Sequence, residues 1–122
     1  MTLKRSCHCG ATKFEVDQAP ASVTACTCSY CSKVGALWAY YPPEQFRLST
    51  AEGDRALYKW RSKTVEHYFC ATCGCTTYGL SPVWVDGKPD PVKKRIGLNA
   101  RLFDDFDLGQ VPHQTIDGKN LW

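Results

Sequence analysis

The chain has 122 residues, enough for one modest hydrophobic core and too few for two, so residues 1–122 are expected to form a single domain. Its start, MTLKRSC, lacks the apolar stretch of an export signal, and its most hydrophobic run, ALWAYY at 36–41, is far too short to cross a bilayer; the expectation is a cytoplasmic protein with no membrane partner, whose eight cysteines stay reduced as metal ligands rather than disulfides. The formal charge of +3 counts every cysteine as a neutral thiol, and two zinc ions held by seven thiolates would cancel it, so the basic excess does not argue for a nucleic-acid partner.

In chain order, Phe14 and Val16 alternate across Glu15, Leu37, Ala39 and Tyr41 alternate with Trp38 and Tyr40, and Phe46 and Leu48 flank Arg47. A period of two predicts strands at each. Residues 65–70 (VEHYFC) and 76–80 (TTYGL) add β-branched and aromatic residues on either side of a CxxCG turn, and 95–98 is a further short strand. Pro42-Pro43, Glu52-Gly53-Asp54 and the segment from Pro82 to Pro91, with its Asp86-Gly87, are predicted to be loops or hairpin connections. Helical turns are expected only near 29–34 and 102–106. The predicted fold class is mostly β, in small antiparallel sheets.

The chemistry lies in the cysteines. Cys7 and Cys9 form a CxC pair followed by Gly10, and Cys70 and Cys73 form a CxxC pair followed by Gly74. In an extended segment residues i and i+2 point to one face, and a tight CxxC turn also brings two sulfurs together, so the two pairs make a tetrahedral four-sulfur zinc site that ties the N-terminus to the second half of the chain. That site is expected to be closed and structural, a staple suited to a small core. Cys26, Cys28 and Cys31 remain. Three cysteines with a fourth position open to substrate make a catalytic zinc site, but Cys75, directly after Cys73-Gly74, offers a fourth thiolate that would close it. Spacing leaves both arrangements open, and with them two functions: an enzyme, or a zinc-stabilised interaction module with two closed sites.

Other residues carry weaker signals. His8 points away from the metal side of its CxC pair, His67 lies on the strand leading to Cys70, and His113 follows Pro112 in a predicted loop, a weak candidate for facing a substrate. Trp38, Tyr40 and Tyr41 are expected in the core, with one ring a candidate wall of the open site. Asp104, Asp105 and Asp107 lack the spacing of a calcium loop and read as a solvated turn. Lys33 and Arg101 are candidates to offset the negative charge of three thiolates.

Three blocks, CHCG at 7–10, CTCSYCSKVG at 26–35 and FCATCGCTTY at 69–78, resemble the signature blocks of the glutathione-dependent formaldehyde-activating enzyme family, which also includes centromere protein V. Looser similarity runs through GLNARLFDDFDL at 97–108 and DGKNL at 117–121. The resemblance implies a β-tent of twisted antiparallel sheets bridged by zinc, with two zinc ions per chain. It implies that Cys7, Cys9, Cys70 and Cys73 hold the structural zinc and that Cys26, Cys28 and Cys31 hold the catalytic one. It also implies a carbon–sulfur lyase activity that joins glutathione, as co-substrate, to formaldehyde and yields S-hydroxymethylglutathione. Cys75 departs from the plain pattern, and no glutathione-pocket residue is singled out.

Overall fold

The computed structural model describes residues 3–50, 55–59, 65–86, 88–103 and 107–121. These form β1 (Leu3–Ser6), β2 (Lys13–Val16), β3 (Val23–Cys26), α1 (Ser29–Val34), β4 (Trp38–Tyr41), β5 (Phe46–Leu48), β6 (Arg55–Tyr58), β7 (Glu66–Cys70), β8 (Thr76–Val85), β9 (Lys88–Asn99), β10 (His113–Ile116) and α2 (Gly118–Leu121). Short 3-10 turns at Pro43–Gln45, Ala100–Leu102 and Leu108–Gln110 fill some of the connections. The protein is mostly β, as its alternating patterns predict. A three-stranded sheet, β1-β2-β5, packs against a seven-stranded sheet in the order β10-β3-β4-β9-β8-β7-β6.

The core lies between the sheets. Phe14 and Val16 of β2 are fully buried with Ala39 and Tyr41 of β4, Tyr68 of β7, Tyr78 of β8 and Ile96 and Leu98 of β9. Phe14 stacks on Phe46 at 5.9 Å between centroids, and Phe46 reaches Tyr78 across the gap at 4.8 Å. Because strand side chains alternate, the partners of these residues point to the opposite face of the large sheet. That second face carries Trp38 and Tyr40 of β4, Arg95 and Gly97 of β9, Gly79 of β8, His67 of β7 and Tyr58 of β6, with Tyr40, Gly97, Gly79, His67 and Tyr58 in one row across five strands.

Three expectations need correction. The segment from Pro82 to Pro91 is not a loop: β8 and β9 continue through it as a long hairpin turning at Asp86, which takes a left-handed φ of 52°. Beyond Leu80 and Ile96 this hairpin has outrun its outer neighbours β7 and β4, so its prolines break no ladder bond on that side, and Pro82 sits where the register shifts. The sheets are not wholly antiparallel, since β10 runs parallel to β3 with Ile116 opposite Cys26. His113 lies in β10 rather than in a loop, its ring nitrogen meeting the Leu108 carbonyl at 2.7 Å. Four strands, β1, β3, β6 and β10, were not predicted; each is four residues long, and pairing rather than alternation makes them strands. The expected helix at 29–34 is α1; residues 52–54 and 104–106 lie outside the described residues.

Candidate active site and metal centres

The sulfurs of Cys7, Cys9, Cys70 and Cys73 lie within 4.8 Å of one another. Two hairpin tips bring them together: the β1–β2 turn carries Cys7 and Cys9, and the β7–β8 turn carries Cys73. Both tips fold alike. Gly10 and Gly74 take φ values of 84° and 81°, and their N–H groups bond back to the carbonyls of Cys7 at 3.2 Å and Cys70 at 2.9 Å. The turns then aim N–H groups at sulfur: Thr12 donates to the Cys7 Sγ at 3.3 Å, and Thr72 and Cys73 to the Cys70 Sγ at 3.4 Å. Such donors favour the thiolate. The Cys75 N–H acts in the same sense on Cys73, and the neighbouring thiols add to it, so the Cys73 thiol is lowered to about 5.

A tetrahedron with metal–sulfur bonds of about 2.3 Å sets its sulfurs about 3.8 Å apart. Cys7 and Cys9 stand at 3.8 Å, and Cys9 and Cys70 at 3.6 Å. The donor set and its spacing fit zinc.

Cys26, Cys28 and Cys31 form the second group, their sulfurs also within 4.8 Å of one another. Cys26 ends β3, and α1 supplies the other two. The Cys28 side chain caps that helix, accepting the Cys31 N–H at 3.3 Å, and Gly35, with φ of 73°, ends it by donating to the Cys31 carbonyl at 2.9 Å. Arg101 Nε donates to the Gly35 carbonyl at 2.8 Å, so this side chain finishes the helix C-terminus. The neighbouring Cys31 thiol lowers Cys26 to about 6, while Cys26 and burial push Cys31 up; the Trp38 side chain acts on Cys31 in the lowering sense. The C-terminal segment closes over the group. Thr27 donates its N–H to the Ile116 carbonyl at 3.0 Å, its hydroxyl meets Asp117 at 3.2 Å, and the Gly118 backbone acts on Cys26 in the lowering sense.

Cys75 lies beside the four-cysteine group: its thiol feels the His8 backbone, Cys73 and Cys7, and among the described residues it joins neither group of converging sulfurs. The feature that would have closed the three-cysteine group is therefore absent from it. His8 itself is exposed. Asp107 caps the 3-10 turn that follows it, accepting the Gly109 N–H at 2.9 Å.

Around the three cysteines, Tyr30 leans from α1 onto the sheet, packing on His67 at 4.1 Å with the rings tilted by 31° and stacking on Tyr58 at 5.5 Å between centroids. His67 is 7 % exposed, its Nδ1 is buried with no hydrogen-bond partner among the described residues, and desolvation lowers it to about 4. Trp38 packs directly against Cys28 and Cys31, whereas Tyr41 lies in the main core. Sequence reasoning missed Tyr30, Thr27 and Gly118. The only trace of the last was the DGKNL similarity.

A family model described as glutathione-dependent formaldehyde-activating enzyme matches residues 2–112. The chain belongs to that family. A crystal structure of a Rhodobacter sphaeroides protein, solved as a structural-genomics target, is similar to this member of the formaldehyde-activating family with a TM-score of 0.72 and 29% identity, over 91% of this chain and 99% of that one.

Proposed function

We propose that this protein is a zinc-dependent carbon–sulfur lyase that adds a thiol, glutathione or a close analogue, to formaldehyde or another small aldehyde. The observation that carries the reading is the three-cysteine group itself: among the described residues Cys26, Cys28 and Cys31 converge, and Cys75, the thiol best placed in sequence to complete them, lies outside the group. Membership of a formaldehyde-activating family supports the same chemistry.

In this reading Cys7, Cys9, Cys70 and Cys73 hold a structural zinc, and Cys26, Cys28 and Cys31 hold a second zinc as its three protein ligands. When bound there, zinc supplies a fourth position at which a substrate sulfur is kept as the thiolate. The reaction forms a bond from the thiolate lone pair to the aldehyde carbon, the carbonyl π pair moves to oxygen, and that oxygen takes a proton to give the hydroxymethyl thioether. The chain's own residues orient the ligands and limit water. The Trp38 side chain and the Gly118 backbone favour the thiolates of Cys31 and Cys26, and Tyr30 and Trp38 wall the group with rings. No helix among the described residues is long and apolar enough to cross a membrane. The reading carries with it a single domain, a cytoplasmic location and small-molecule partners only.

Thiols and formaldehyde also combine without a catalyst, so the test follows exchange. The ¹³C exchange rate between formaldehyde and its glutathione adduct should rise well above background with the zinc-loaded protein and fall to background in Cys28→Ser, while one zinc per chain remains bound. Unchanged exchange in Cys28→Ser would end the reading.

A further inference from the structure

Addition of a thiolate to an aldehyde leaves negative charge on the carbonyl oxygen, and no side chain assigned so far supplies the proton that oxygen takes. The chain has six tyrosines. Tyr41 donates to the Gln18 carbonyl at 3.0 Å, Tyr68 donates to Glu66 at 2.8 Å, and Tyr78 accepts from Arg55. Tyr30 is packed on His67 and Tyr58, its hydroxyl feeling the Thr76 side chain, and Tyr58 lies on β6 at the far edge of the large sheet. That leaves Tyr40, whose hydroxyl makes no hydrogen bond to any described residue.

Tyr40 adjoins the three-cysteine group. It lies one two-residue step along β4 from Trp38, roughly 7 Å and on the same face, and Trp38 packs directly against Cys28 and Cys31. Gly97 opposite leaves the ring room, the nearest ring carbon being 3.4 Å from where a Cβ would stand. The hydroxyl feels Arg95 and, more weakly, Cys26, Cys31 and Cys28. The Arg95 guanidinium lies 3.8 Å from the centre of the Tyr40 ring, steadied by its Nε bond to the Ser81 hydroxyl at 3.4 Å. Tyr40 also lines a cavity of about 490 Å³ that opens at the end of β4, so water reaches it. Burial raises the pKa of the phenol, which is therefore protonated at neutral pH, while the Arg95 cation favours the phenolate that forms as the proton leaves. A phenol is a stronger acid than the alcohol group of the adduct, so the transfer runs downhill.

We propose that Tyr40 is a catalytic residue of the addition, its hydroxyl giving a hydrogen bond and then a proton to the aldehyde oxygen, with Arg95 as a positioning residue that steadies the ring and the phenolate. The proposal rests on the thiol–aldehyde reading above and names the acid that reading lacks. The thiolate lone pair forms the carbon–sulfur bond, the carbonyl π pair passes to oxygen, that oxygen takes the Tyr40 proton, and the phenolate recovers a proton from water in the cavity. In the reverse direction the phenolate takes the hydroxyl proton of the adduct as the carbon–sulfur bond breaks.

The test pairs two readouts on Tyr40→Phe: the ¹³C exchange between formaldehyde and its glutathione adduct with zinc-loaded protein, and glutathione binding to protein carrying cobalt in place of zinc, followed by the cobalt–thiolate absorption. The catalysed part of the exchange is expected to fall by about a hundredfold, the usual effect of a general acid, with glutathione binding unchanged, which also reports that the fold is intact. Arg95→Gln should slow the wild-type enzyme several-fold and add nothing in the Tyr40→Phe background, as expected of a residue that acts through another. Exchange at the wild-type rate in Tyr40→Phe would overturn the proposal. Loss of exchange together with glutathione binding would make Tyr40 a wall of the thiol site and overturn it too. An Arg95→Gln effect that persists undiminished in Tyr40→Phe would overturn the part given to Arg95. Wild-type protein that binds glutathione at cobalt and leaves exchange at background would remove the aldehyde reaction, and the proton donor with it.

Discussion

His67 shows how much a single side chain can disclose. It is buried under Tyr30 with an unsatisfied nitrogen, and desolvation holds it near 4 against an ordinary value of 6.5. The unfolded chain therefore takes up the proton first. The stability linked to this residue is full above pH 6.5 and is lost as pH falls toward 4, about 2 kcal/mol between pH 7 and pH 5. Zinc-ligand protonation adds its own acid sensitivity, so the measurement is a difference: denaturant unfolding at both pH values for wild type and His67→Phe, with the variant expected to lose about 2 kcal/mol less. Trp38 makes a second residue-scale case. Trp38→Phe keeps most of the packing against Cys28 and Cys31 but removes the indole N–H that favours the Cys31 thiolate. Metal affinity at the three-cysteine group is expected to fall by about tenfold or more, with the four-cysteine group unaffected, as read by competition with a chelator.

Elements divide into those that local pattern dictates and those that only pairing explains. The cysteine groups were legible because CxC and CxxC turns are local, and a glycine with positive φ marks the end of each. Helix α1 was legible for a similar reason: Cys28 caps it and Gly35 stops it within eight residues. Cys75 was not legible. Its allegiance depends on the direction the chain takes after Gly74, which is settled by the β7–β8 register and the approach of His8 from another sheet. Nor was the length of β8 and β9, because prolines are tolerated where neighbouring strands have ended. Gly79 is another consequence of pairing. A Cβ there would stand 2.9 Å from the Glu66 carbonyl on β7, so Gly79→Ala must push the strands apart. Its expected cost is about 1–3 kcal/mol, measured by denaturant unfolding; a neutral result would mean that β7 yields freely at its register shift.

At the scale of the whole molecule, the four-cysteine group pins the hairpin tip of one sheet to a hairpin tip of the other, beside a core of modest size. Structural zinc sites contribute on the order of 10 kcal/mol in comparable small domains, more than the usual margin of stability. Cys70→Ser, at a fully buried position, is therefore expected to abolish cooperative unfolding and zinc loading together. Cys28→Ser should leave a cooperative transition, weakened and lacking one metal. Near-ultraviolet circular dichroism with metal analysis separates these outcomes.

The parallel pairing of β10 with β3 places Ile116 beside Cys26 and brings the Gly118 backbone close enough to lower its thiol. In the proposed zinc reading, synthesis thus imposes a timetable on the two cysteine groups. The stapling cysteines are all available once residue 73 has emerged from the ribosome, some forty residues before the segment that finishes the other centre. A nascent chain can be clamped shut by its first ion while its reactive centre is still unfinished, so the scaffold is secured before exposed thiols acquire the environment that tames them.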